Sequence, residues 1–362
     1  MSAEMIADVA TGASGIQPGP GQTAGLVCAH NHLYSALARG MPPPPAVPSD
    51  FLGILENVWW RLDRALDLEI IEWSAKLGAL EALEAGCTAV VDHHESPNAI
   101  EGSLSVIADA CREVGVRVNT CYGITDRHGP QGAAAGLAEN DRFLREGGKG
   151  MVGVHAAFTC TDDSLAAAAE LAASHGVGVH IHVAEGIDDL AAADRLRDLT
   201  RDDWLIIHGV HLPTDHGLRG TIVHNPRSNM NNSVGYSNPA RFANPVALGT
   251  DGIGADMLAE FRLAYVKQRE ADVEATPDAA WGWLETGWDL FPDARRDRVT
   301  WSYDSMEPWH LAFTPTVRAI DVEIDGAPAL RNGVATLVDA DEIRAKAREQ
   351  AARLHRTLED MD

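Results

Sequence analysis

The chain has 362 residues, 45% hydrophobic and 23% charged, the balance of a globular protein with length for one large domain or two ordinary ones. A formal net charge of −24 excludes nucleic acid and anionic membrane surfaces as partners, because both demand clustered Lys and Arg. No apolar run exceeds strand length, so no membrane span is expected, and MSAEMIADVATGASG lacks the basic-then-apolar order of a signal peptide, which points to the cytoplasm.

Residues 1–23 are rich in Gly, Pro, Ala and Thr and carry little pattern, and the Pro run 42–45 can be neither helix nor central strand. From residue 24 to 252 short apolar strands alternate with longer helical stretches. The expected strands are 24–32, 88–94, 117–124, 151–158, 178–185, 204–211, 220–226 and 245–252. Helical patterns lie between them, as in 69–86, 103–115 and 163–176, with Gly86, Gly115 and Gly176 where C-caps belong. Continuous apolar strands alternating with helices imply a parallel sheet buried on both faces. Eight of them predict a closed (β/α)8 TIM-like barrel; the competing doubly wound sheet lacks its glycine fingerprint after the first strand. Cys28, Cys87, Cys111, Cys121 and Cys160 show no C-x-x-C spacing and are expected as buried free thiols.

Seven of these eight strands carry His, Asp or Glu near the carboxyl end: His30 and His32, His93 and His94, His155, His182 and Glu185, His208, His224, and Asp251. In a barrel those ends converge on one face, where active sites are built. Residues i and i+2 of a strand point the same way, so His30 and His32 project together. An H-x-H pair alone is weak evidence for metal. His182 on the fifth strand and Asp251 on the eighth complete three imidazoles and a carboxylate, which leave Zn2+ an open position for water. Other residues carry two readings each. His94 and His224 either cap strands or touch substrate. His180 is expected to point away from His182 and to pack structurally. Trp59 and Trp60 either stack on a planar ring or fill core. Arg227 and Asn229 either anchor a substrate carboxylate or fix their loop.

The motifs AHNH, HIHVAE, IIHGVHL, VHNPRSN and LGTDG resemble, in order and spacing, the amidohydrolase superfamily, and within it the cytosine deaminase-like and chlorohydrolase branch. ENVWWRLDRALD, VDHHESPNAIEGSL, HAAFTCTDDSL and HNPRSNMNNSVGY are similar to a narrower aminohydrolase group there. The resemblance implies that His30, His32, His182 and Asp251 bind one divalent metal, Zn2+ first and Fe2+ second. It further implies that Glu185 shuttles a proton to the leaving group, that His208 orients the attacking water whose proton Asp251 takes, and that His155 contacts substrate, with His94, Arg227, Asn229 and Trp59 as further substrate-binding residues. The chemistry is coherent: zinc brings its water's pKa to about 7, and departure of ammonia from an amidine-like carbon needs a nearby acid. A second metal would need a bridging Lys at the end of the fourth strand, where His155 stands.

The chain departs from the family in three places. Fewer residues precede His30 than family members place before their H-x-H, so a reduced β-sandwich remnant from the terminal segments is expected. The divisions expected are 1–23 for the N-terminal segment, 24–290 for the metal-dependent barrel, and 291–362 for a variable segment of short strands and a C-terminal helix. The segment 278–305 holds four of the nine Trp and has no assignable element; an aromatic surface left there would be covered by a second subunit, making a homodimer. Gly123 stands where the narrower group has Glu. The function expected is a metal-dependent aminohydrolase releasing ammonia from a small-molecule N-heterocycle or cyclic guanidine. The alternatives are hydrolysis of a cyclic amide or another C–N or C–Cl bond at the same site, and a catalytically silent metal-binding subunit.

Overall fold

The computed structural model describes residues 19–361; residues 1–18 of the N-terminal segment, including the stretch read for a signal peptide, lie outside them. The short strand β1 (Gln22–Thr23) is followed by eight parallel strands: β2 (Leu26–Asn31), β3 (Cys87–His94), β4 (Arg117–Ile124), β5 (Val152–Ala156), β6 (Val179–Val183), β7 (Leu205–His208), β8 (Thr221–His224) and β9 (Val246–Leu248). They pair in sequence order, as a (β/α)8 barrel requires. The seam between first and last strands is joined at its carboxyl end, where the amides of Thr250 and Asp251 donate to the carbonyl of His30 and that of His32 donates to Asp251.

The helices between strands start and stop where their sequences dictate. The Asp67 carboxylate accepts from the amide of Ile70 to open Leu68–Glu84, and Thr161 does the same for Asp162–His175 through Ser164. Gly115 and Gly176 close their helices in the left-handed conformation. One face of each strand packs under these helices, as Val179, Ile181 and Val183 of β6 do. The other face fills the barrel: Val27, Ala29, Ala89, Val91, Leu205, Ile207, Val223 and Ala247 form an apolar plug.

The remaining strands, β10 (Arg298–Trp301), β11 (Ala319–Ile324), β12 (Ala327–Arg331) and β13 (Val334–Ala335), join β1 in one antiparallel sheet of order β1-β10-β11-β12-β13. This one sheet, drawn from both terminal segments, is the reduced remnant that was expected. The Trp-rich segment resolves into the helices Pro277–Glu285 and Gly287–Leu290, a 3-10 turn and β10. Phe291 and Ala294 from it pack on the barrel plug, and the Trp288 indole donates to the carbonyl of Gly25. Its aromatics thus close the amino end of the barrel within one chain. The last helix, Ala340–Asp360, lies along Leu68–Glu84 through the pairs Arg344–Glu84 and Arg353–Asp67.

Trp301 ties the sheet to the barrel. It is buried, its indole donates to Thr23 Oγ1 at 2.9 Å, and its ring lies against Gly86, where a Cβ would sit 2.4 Å from it. Trp301→Ala is expected to lower unfolding free energy by about 3–5 kcal/mol. Denaturant titration measures this, and an unchanged midpoint would show that the sheet is not docked as described.

Candidate active site

Strand alternation settles which polar residues reach the barrel interior. On β6 both His180 and His182 face inward, because the intervening Ile181 faces the helices. On β3 Ala89 and Val91 face the interior and His93 continues that face, so His94 faces outward.

Two metal-site residues depend on departures from alternation. In β2, Val27 and Ala29 belong to the plug, so His30 would turn outward in a regular strand. A bulge between Cys28 and Asn31 re-aims it. In β7, Ile207 faces inward and His208 is brought inward by a left-handed backbone, φ 71°. Asp251 (φ 56°) and Ala184 (φ 47°) share that strain, which costs roughly 1–3 kcal/mol each and collects at functional sites.

The side chains of His30, His182, His208 and Asp251 offer donor atoms all within 4.8 Å of one another. His32 adjoins them, with Nε2 at 2.9 Å from Asp251 Oδ1 and 3.3 Å from His182 Nε2. The other ring nitrogen of each imidazole is committed: His32 Nδ1 donates to the His93 carbonyl at 2.6 Å, His182 Nδ1 to the His155 carbonyl at 2.7 Å, and His208 Nδ1 to Asn229 Oδ1 at 2.7 Å. These bonds turn the Nε2 atoms toward a common centre, and those of His30 and His208 have no hydrogen-bond partner among the described residues.

Burial drives His30 down to about 3 and lowers His182 and His208, so these three imidazoles are neutral, the form that ligates metal. Burial also opposes charge on His32, but contact with Asp251 outweighs it and lifts that imidazole to about 9. Burial pushes the Asp251 carboxyl up; His30, His32 and the nearby imidazoles overcome this and hold it well below the usual range. The site thus needs one positive charge between His32, His182 and Asp251, and a divalent cation fits. Two imidazole nitrogens bound tetrahedrally to zinc lie about 3.3 Å apart, the separation His32 and His182 show.

Above this centre opens a pocket. Phe51, Leu55, Trp59 and Asp63 line it at four-residue intervals along the helical stretch 51–65, which contains a π-turn at Leu55–Trp59. Trp60, Glu95, His155, Phe158 and Glu185 also line it. Glu185 Oε2 lies 3.3 Å from His208 Nε2, and its Oε1 accepts from Asn232.

The residues expected at the site do not all reach it. Trp59 and His155 line the pocket; His94 does not, its Nε2 meeting Ser96 Oγ between the rings of Tyr34 and Tyr122. Arg227 pairs with the buried Glu260 at 2.9 Å and borders a separate cavity, so it is not free to anchor a carboxylate. Asn229 is buried beneath the site as the acceptor that orients His208. His180 does not point away from His182: its Nε2 is 2.8 Å from His30 Nδ1, placing it directly behind that imidazole. Spacing of two along the strand carried that signal, as it did for Glu95 two residues after His93. Gly123 leaves the room these need, since a Cβ there would lie 2.6 Å from His93 and 3.1 Å from Glu95. Asp63 and Arg127 had no local signal.

A model of the amidohydrolase family matches residues 22–281. The chain is 31% identical over 283 residues to the 5'-deoxyadenosine deaminase of Methanopyrus kandleri, spanning 70% of this chain and 63% of that one, less than two thirds of its length. It is 30% identical to the 8-oxoguanine deaminase of Pseudomonas aeruginosa, over 73% of this chain and 68% of that one. Among solved structures, an adenosine deaminase from Xanthomonas campestris with bound zinc superposes with TM-score 0.75 at 22% identity, covering 92% of this chain and 85% of that one. The zinc complex of atrazine chlorohydrolase TrzN from Arthrobacter aurescens gives 0.71 at 19% identity over 91% and 88%.

His180→Ala removes the partner that fixes His30 and is expected to weaken divalent-metal affinity about 10–100-fold. Competition with a chromogenic chelator measures this. Saturating Zn2+ at a hundred times its Kd is expected to stabilise the wild type by about 2.7 kcal/mol; thermal unfolding insensitive to metal would contradict the site.

Proposed function

The chain belongs to the amidohydrolase family, and on that premise we propose that it is a mononuclear metal-dependent deaminase of a small amino-substituted N-heterocycle or cyclic guanidine. The observation that carries this reading is the pairing of a convergent metal-ligand set with a buried carboxyl, Glu185, at its edge. In it His30, His32, His182 and Asp251 hold the cation, with His208 alongside. Three imidazoles and a carboxylate suit Zn2+, with Fe2+ second. The cation, when bound, supplies Lewis-acid activation of a water at neutral pH.

The chain's own groups then divide the proton chemistry. Asp251, kept ionised, accepts the proton of the attacking water. His208, its Nδ1 proton committed to Asn229, turns an accepting Nε2 to that water. Burial and the charge of Asp251 raise Glu185 well above the usual carboxylate range, so it enters the reaction protonated. It donates its proton to a ring nitrogen, then takes the proton of the new hydroxyl as the carbonyl forms and passes it to the departing amine, which leaves as ammonia; the proton held by Asp251 restores Glu185. Trp59, Trp60 and Phe158 enclose the planar ring. Relatives named for deamination of 5'-deoxyadenosine and 8-oxoguanine support a nitrogen heterocycle as the substrate class.

In this reading residues 24–290 are the catalytic unit and the segments before and after it support the barrel. Five buried free thiols suit the reducing cytoplasm. The exposed Trp309 and Phe313, stacked beside Tyr265, are where two copies would meet as a homodimer.

Ammonia release from a panel of aminopurines, aminopterins and cyclic guanidines tests the proposal. With an active substrate, Glu185→Gln is expected to lower kcat about 10²–10⁴-fold at unchanged metal content. Because its carboxyl is raised, wild-type kcat/KM is retained above the pH at which an ordinary Glu ionises and falls at higher pH as Glu185 loses its proton. That alkaline limb should vanish in Glu185→Gln. Wild-type turnover in the variant would overturn the role.

A further inference from the structure

The pocket holds a second polar group that the proton chemistry does not use. Asp63 is 1% exposed and lines the pocket, yet no donor among the described residues makes a hydrogen bond of standard geometry with either carboxylate oxygen, although Tyr34 is its neighbour. Glu95 lies on the same wall. The cation between them is Arg127, which donates to Glu95 and comes only within 3.7 Å of Asp63 Oδ2. Its guanidinium also lies over the Trp60 ring, 4.3 Å from the centroid. Two carboxyl groups thus share one guanidinium away from water, so a single fixed cation serves both. Asp188 adds another acid to the pocket lining.

From this we infer that the Asp63 end of the pocket binds a cationic substituent of the substrate, a protonated amine or a guanidinium carried on the heterocycle. The inference rests on the deaminase reading for the orientation of the ring, with the reacting carbon toward Glu185 and the substituent toward Asp63.

A buried carboxylate with only a distant shared cation is costly, so Asp63 keeps its proton while the pocket is empty, and a ligand cation would displace that proton and supply charge and hydrogen bonds together. Burial first, and the charge of Glu95 next, hold Asp63 well above the usual carboxylate range, with Arg127 offsetting only part of this. The indole of Trp59 adds a face on which a desolvated cation is favourable. A hydroxyl could accept or donate there but brings no charge to take the place of that proton. An anionic substituent would meet Asp63, Glu95 and Asp188 against the single Arg127. The formal net charge of −24 also favours the approach of cations over anions.

Tryptamine and tryptophol provide a test, because they share an indole and differ in an ammonium against a hydroxyl. Neither carries an amidine-like carbon, so their binding is independent of whether the site deaminates. Calorimetric titration of zinc-loaded wild-type protein at pH 7 is expected to show tryptamine bound at least about tenfold tighter than tryptophol. The preference should collapse in Asp63→Asn and persist in Asp63→Glu, which keeps the charge. Equal binding, tighter tryptophol, no binding of tryptamine, or a preference that survives Asp63→Asn would each overturn the inference. The wild-type pair alone fixes the sign, so the outcome stays readable if Asp63→Asn does not fold. Silent ammonia assays with tryptamine preferred would instead overturn the deaminase reading and leave cation binding standing.

Discussion

The structure turns on the demand for one positive charge among His32, His182 and Asp251. Two ring nitrogens 3.3 Å apart and a carboxylate 2.9 Å from one of them cannot be held together as bare lone pairs. A proton on His32 or a cation in its place satisfies the geometry. Everything beneath the site makes only that solution available: the opposite nitrogens are tied to the carbonyls of His93 and His155 and to Asn229, so the rings cannot turn away. The bulge in β2 and the left-handed His208 and Asp251 are strains the barrel sustains to keep these side chains convergent.

The same centre orders the chemistry around it. Asp251 is held ionised because imidazoles surround it, and that charge helps keep the buried Glu185 protonated. Two carboxyl groups in one pocket thereby acquire opposite protonation states, as an acid and a base working on one substrate require. Farther along the wall, Asp63 and Glu95 compete for Arg127, so the polarity of the pocket is set at both ends by carboxylates.

Much of this was legible in the chain itself, for physical reasons. Eight apolar runs alternating with capped helices allow few architectures, and the strands formed within a few residues of those runs. His30, His32, His182 and Asp251 announced themselves by falling at strand ends. What failed were statements requiring the exact face of a residue. His94 and His93 are adjacent, and only the alternation of β3 decides that His93 enters the barrel. His180 was misassigned although its spacing from His182 placed both on one face. Between the two readings of Arg227 the sequence could not decide, because its partner Glu260 lies 33 positions on, in another helix. Asp63 and Arg127 meet only through the fold, and the Trp-rich segment had no period to reveal that it closes the barrel.

Anomalous diffraction at the zinc edge from crystals of the metal-loaded protein addresses the central claim most directly. A single strong peak in contact with Nε2 of His30, His32 and His182 and with the Asp251 carboxylate is the result predicted. Stoichiometric zinc at any other position, or no peak among these side chains in protein that binds zinc in solution, would contradict the account.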